Sequence, residues 1–186
     1  MLSLAALSMF LPFLPMLPAQ ILLLNLLSDL PMLGITSDKV ADEDLAKPHS
    51  WNIKTIARYM YFFGPISSIA DFMTFGMLYF LVGAGTNLAL FRSGWFVESL
   101  ITEVVVIFLL RSRRTSLNNL PSKILTTACV MAIVISLVIV YSPLGNDFEL
   151  IGLPAKVLAY IAIIVIGYGM MVELGKRGFY KYIVKE

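Results

Sequence analysis

The sequence predicts an all-α integral membrane domain, with five full transmembrane helices preceded by a half helix. Three observations carry that prediction. The 186 residues are 59% hydrophobic and only 14% charged, with a mean hydropathy of +0.85. A soluble domain is nearer half apolar and about a quarter charged. Several apolar runs reach the roughly 17–25 residues needed to cross a hydrocarbon core of about 30 Å. The basic residues also gather in alternate connections between those runs, the pattern that orients membrane helices.

Residues 1–11 are apolar but too short to cross, and Pro12, Pro15 and Pro18 close them off. No basic segment precedes them and no small-residue cleavage site follows, so they read as structure rather than as a signal peptide. Residues 1–15 are thus a half helix and an outer loop. The first full span is 16–36. A connection over 37–56 follows, containing the acidic, polar stretch SDKVADEDLAKPHSWN (37–52). Four further spans fall within 57–175, at about 57–83, 95–111, 121–142 and 154–175. That at 95–111 is short, with Trp95 at one interface and the run RSRR (111–114) at the other. Residues 176–186 form a tail.

Lys39, Lys47, Lys54 and Arg58 flank one connection, and Arg111, Arg113, Arg114 and Lys123 another. Lys176, Arg177, Lys181 and Lys185 follow the last span. The alternate loops, at about 84–94 and 143–153, hold only Arg92 and Lys156. The basic groups therefore face the cytoplasm, giving a multi-pass cell-membrane protein with a cytoplasmic C-terminus.

A net charge of +2 points to no nucleic-acid partner. The one cysteine, Cys129, sits in an apolar run as a small core residue, and the one histidine, His49, lies beside Pro48 in a polar loop. Neither a disulfide nor a cysteine or histidine metal cluster is available. No phosphate-binding Gly-rich loop with its lysine occurs, no His-Glu-x-x-His and no Gly-x-Ser-x-Gly. Tyr61, Phe62 and Phe63 read as packing or interface anchors. Nothing in the chain calls for a catalytic residue.

The informative residues are the polar ones inside apolar runs. In LLLNLLSDLPML (22–33), Asn25, Ser28 and Asp29 are spaced i, i+3, i+4 and share one helical face, which Met32 continues. Pro31 cannot donate to the carbonyl of Leu27, leaving that oxygen free one turn back. A carboxylate, an amide oxygen, a hydroxyl and a free carbonyl make a hard-cation site. A polar seam joining helices, with Pro31 as a kink, is the other reading. Glu103 lies near mid-span beside Thr102, with Ser99 one turn earlier. Glu98 is about 140° around the helix from it and is placed near the outer interface, within reach of solvent. Asp71 follows the small-residue entry GPISSIA (64–70) and reads as structural. Glu173 lies within pairing distance of Lys176 or Arg177 along its helix.

The run PMLPAQILLLNLLSDLPMLGITSDKVADEDLAKPHSW resembles the sixth transmembrane helix and following loop of P-type cation ATPases. The runs WNIKTIARYMYFFGPISSIADFMTF, SGWFVESLITEVVVIFLLRSRR and SPLG are similar to the magnesium-transporting branch of that family. The resemblance covers nearly the whole chain, in order and spacing. It implies that residues 1–11 correspond to the outer half of the fifth helix and the five full spans to helices six to ten. It also implies cation ligation by Asn25, Ser28 and Asp29 of the sixth helix and by Glu103 of the eighth. Pro31, Asp71 and Glu98 are left as structural or supporting groups. Glutamine is expected at position 103 in the magnesium branch, so Glu103 is a departure that leaves Mg²⁺, Ca²⁺ and protons open as cargo.

The Asp-Lys-Thr-Gly phosphorylation motif is absent from this chain, where Asp38-Lys39 is followed by Val40. The resemblance therefore implies a transport portion with Mg²⁺ as transported ion. Its partners would be the lipid bilayer, helices one to five, and the phosphorylation, nucleotide and actuator domains, which would use the ATP. Asp42, Glu43 and Asp44 would couple the acidic loop to the phosphorylation domain. By itself the chain would neither hydrolyse ATP nor hold a complete site. A stand-alone truncated subunit or regulator, a Ca²⁺ or H⁺ pump fragment, and an autonomous channel remain the alternatives.

Overall fold

The structure is a computed structural model describing residues 2–9, 11–38, 53–83, 87–111 and 121–182. All of its regular elements are helical. Helix α1 (Leu2–Ser8) is followed by an irregular stretch through the prolines, then α2 (Pro18–Ile35) and α3 (Ile53–Gly76). A π-helical segment, Met77–Leu81, extends α3. Then come α4 (Leu88–Leu110), α5 (Lys123–Tyr141), a short α6 (Leu144–Asp147) and α7 (Ala155–Tyr182).

Local chemistry sets several starts. Pro18 opens α2, where a missing N–H costs nothing, and the Gln20 side chain captures the Leu17 N–H at 2.9 Å. Asn87 caps α4 by accepting from the Leu90 N–H, and Ser122 caps α5 by accepting from that of Leu125, both at 3.1 Å. Pro31 sits inside α2 without ending it.

Four helices, α2, α4, α5 and α7, are long and apolar enough to cross a membrane among the described residues. This is the expected all-α membrane class. The stretch expected as the span 57–83 is α3 and its π-helical extension. It is long, but Gly64, Pro65, Ser67, Ser68 and Asp71 make it less apolar than the other four.

Two expectations change. The loop placed at 84–94 is helical from Leu88, so α4 has 23 residues rather than a short span starting at Trp95. Trp95 is buried inside the bundle, not at an interface. Arg92, Ser93 and Gly94 disguised the helix start, because their partners lie far away in sequence. The last helix also runs on to Tyr182, into the stretch read as a tail.

Helix α4 is the axis of the bundle. It packs against α2, α3, α5 and α7, and half of its apolar window is buried, against 28% for each of the other three spans. Every residue from Phe91 to Glu98 is buried. The outward faces of the surrounding helices stay apolar: Val130, Val134 and Val138 on α5, and Ile163, Ile166, Met170 and Leu174 on α7. Spaced three or four residues apart, these form stripes suited to lipid tails. Helices α2 and α5 approach closely at Gly34, where a Cβ would stand 3.1 Å from the Leu125 Cα.

Polar contacts tie each end of the bundle. At one end, buried Gln20 donates from Nε2 to the Phe148 carbonyl at 2.7 Å, and the Ile151 N–H donates to Ser93 Oγ at 2.7 Å. Arg92 forms an ion pair with Glu149 and donates to the Leu14 carbonyl. Gly145 fits this turn because a Cβ there would lie 2.8 Å from the Ile139 carbonyl oxygen. At the other end the Asp38 carboxylate accepts from Arg111 Nη1 at 2.5 Å and from the Ser122 N–H at 2.8 Å. Lys176 Nζ donates to the Leu109 carbonyl at 2.8 Å and pairs with Glu173 at 3.2 Å, as the sequence spacing anticipated.

Candidate functional site: an acidic cavity between the helices

Between these two ends lies a cavity of about 430 Å³, formed by α1, α2, α3, α4 and α7. Helix α2 contributes Leu24, Asn25, Ser28, Asp29 and Met32, the face read from the i, i+3, i+4 spacing. Helix α4 contributes Trp95, Ser99, Thr102 and Glu103. The cavity thus brings together all four side chains expected as ligands, with Asp29 and Glu103 74 positions apart in sequence.

Their environments differ. Asn25 and Asp29 are exposed on the open side, and Ser28 and Glu103 are half-buried. Ser28 Oγ donates to the Asn25 carbonyl at 3.0 Å, within its own helix. Glu103 Oε2 is buried with no hydrogen-bond partner in the protein. The Leu27 side chain is packed into the core, and Leu27 is not among the residues lining the cavity. Among the described residues no three His, Cys, Asp or Glu side chains converge closely enough to grip a bare metal ion. The cavity is a vestibule with carboxylates on three walls, not a closed ligand cage.

Asp71 also lines the cavity, and its carboxylate accepts a hydrogen bond from Ser3 Oγ on α1. Ser3, Ser67 and Tyr168 complete the polar lining, and sequence reasoning missed all three. Ser67 was findable, since it precedes Asp71 by one helical turn and shares its face. Ser3 and Tyr168 gave no local signal, because only the packing of α1 and α7 brings them here. The sequence reading of Glu98 is overturned. It is fully buried, with both carboxylate oxygens unpartnered. Because α4 begins at Leu88, Glu98 lies about 15 Å along the helix rather than one turn in from an interface. Asp42, Glu43 and Asp44 lie outside the described residues.

Apolar helices of spanning length around a cavity lined by acidic side chains define a multi-pass helical membrane domain. Comparison with known proteins narrows that class. The family described as "Cation transporting ATPase, C-terminus" matches residues 13–178. The chain is 38% identical over 179 residues to "Magnesium-transporting ATPase, P-type 1" of Escherichia coli K12, covering 93% of this chain and 20% of that protein. It is 37% identical over 176 residues to a protein of the same name in Salmonella typhimurium LT2, covering 93% of this chain and 19% of the relative. The chain belongs to the cation-transporting P-type ATPase family and forms its C-terminal transmembrane domain. It spans about a fifth of the length of the curated relatives it matches.

Proposed function

We propose that this domain carries Mg²⁺ across the cell membrane as part of an ATP-driven pump, binding it in the cavity between α2 and α4. The observation that supports this most is the convergence of Asn25, Ser28, Asp29 and Glu103 on one cavity. Carboxylates at membrane depth are costly and are commonly retained for transport. Mg²⁺ sheds its water reluctantly, keeps several waters when bound, and often uses only one or two carboxylates. A roomy cavity with Asp29 on one wall and Glu103 on another suits a partly hydrated Mg²⁺ better than a tight Ca²⁺ cage of six to eight oxygens. The Leu27 carbonyl, deprived of its donor by Pro31, is a further ligand candidate once α2 adjusts. The relatives' printed names agree with this cargo.

In the complete pump the phosphorylation, nucleotide and actuator domains and helices one to five supply ATP hydrolysis and the rest of the ion path. The basic flanks support a cytoplasmic C-terminus. The acidic loop then faces those domains, with Asp42, Glu43 and Asp44 as contacts. Asp38, at its start, is tied to both Arg111 and the Ser122 N–H. A pull on the loop therefore reaches α2, α4 and α5 together.

The test uses the complete pump reconstituted in liposomes, with Mg²⁺ flux and Mg²⁺-stimulated ATPase measured together. Asp29→Asn should raise the half-activating Mg²⁺ concentration about a hundredfold, corresponding to roughly 3 kcal/mol. Wild-type magnesium dependence in that variant would remove the cavity from the transport path. Neutralising Asp42, Glu43 and Asp44 together should leave magnesium affinity in place and lower the flux per ATP hydrolysed.

A further inference from the structure

Glu98 is a buried carboxylate that the cavity does not use. It is wholly shielded, and neither oxygen meets a donor within the protein. Thr74 of α3 lies beside it, equally buried, with its hydroxyl also unpartnered. The charged groups that act on Glu98 are Asp71 from α3 and Glu103 from its own helix, both acidic. Helix α7 brings Tyr168 into the same neighbourhood. Helix α2 places Asp29 near Glu103.

A bare carboxylate in this position would have the Thr74 hydroxyl as its one nearby donor, would lack a counter-charge and water, and would face two other acids. Burying such a charge costs several kcal/mol or more. A neutral carboxylic acid has one O–H to donate, and a threonine hydroxyl can both accept and donate. Glu98 and Thr74 can therefore satisfy each other with small rotations when Glu98 holds a proton.

We propose that Glu98 and Thr74 form a proton-binding site behind the cation cavity, and that its proton leaves as a divalent cation loads beside Asp29 and Glu103. The cation-coupled half rests on the cavity reading above. In the step, the Glu98 O–H bond breaks, the electron pair stays on the carboxylate oxygen, and the proton passes to water. The incoming charge of +2 offsets the new carboxylate and the repulsion from Asp71 and Glu103. Such coupling is reciprocal, so acid weakens cation binding as the cation expels the proton. With one proton released per cation, the half-activating Mg²⁺ concentration rises up to about tenfold for each pH unit of acidification.

The experiment uses the complete pump and Mg²⁺ itself. An infrared difference spectrum on adding Mg²⁺ should show loss of a protonated-carboxyl C=O band that Glu98→Gln lacks. The half-activating Mg²⁺ concentration, measured on both sides of neutral pH, should vary steeply in wild type and flatten in Glu98→Gln, whose amide mimics the protonated acid in shape and charge. A wild-type pH slope in that variant, or a band indifferent to Mg²⁺, overturns the proton site. If Glu98→Gln does not fold, proton release on Mg²⁺ addition to wild-type pump in weak buffer decides, and no release overturns it. Asp29→Asn separates the two readings. An unchanged magnesium response there overturns the cavity reading. A magnesium response lost there, with the pH slope intact in Glu98→Gln, overturns only the proton site.

Discussion

At the end of the bundle near the Leu144–Asp147 turn, Gln20, Arg92 and Ser93 are each bonded to a distant segment. A few turns further along the same two helices the pattern reverses. Asn25 and Asp29 stand open to the cavity, Glu98 has no partner for either oxygen, and Glu103 leaves one oxygen unpartnered. The residue types are similar at both levels, so the difference lies in what the surroundings supply. Where polar groups hold the fold, loops reach in to satisfy them, as buried polar groups require. At the cavity level the protein leaves hydrogen-bonding capacity unspent.

That comparison can be broken most forcefully at Gln20. Replacing it with leucine strands the Phe148 carbonyl and the Leu17 N–H, a loss of about 2–4 kcal/mol. Thermal unfolding of the purified pump in detergent should show the loss as a lower midpoint. Gly145→Ala comes next, with a cost of about 1–3 kcal/mol. The added methyl would meet the carbonyl oxygens of Ile139, Leu150 and Val140, all within 3.3 Å, and backbone cannot rotate aside as a side chain can. Glu149→Ala should cost less, about 1–2 kcal/mol in the same measurement, because Glu149 is itself 60% exposed while Arg92 is only 10% exposed. None of the three should change the magnesium dependence of ATPase activity in the protein that remains folded. A large shift there would dissolve the distinction between the two levels.

Much of the cavity was legible in the sequence, and for a local reason. Asn25, Ser28 and Asp29 are spaced by one helical turn, so their shared face is fixed by helix geometry alone. Glu103 needed more than spacing, since the resemblance to the pump family supplied its place opposite α2. What escaped was long-range. Ser3 meets Asp71 across 68 positions and Arg92 meets Glu149 across 57, and no local pattern announces either pair. The misreading of Arg92 as a loop residue carried a second error with it. It moved the start of α4 to Trp95 and left Glu98 near water, when the helix buries it completely.

The central claim is that polar groups at the cavity level bind a cation while those at the tied end hold the fold. One paired measurement tests it most directly. Magnesium activation of ATPase and thermal midpoint are recorded side by side for Asp29→Asn and Glu149→Ala in the complete pump. The account predicts a large loss of magnesium affinity with an unchanged midpoint in Asp29→Asn, and the reverse in Glu149→Ala. A lowered midpoint with normal magnesium activation in Asp29→Asn would contradict it.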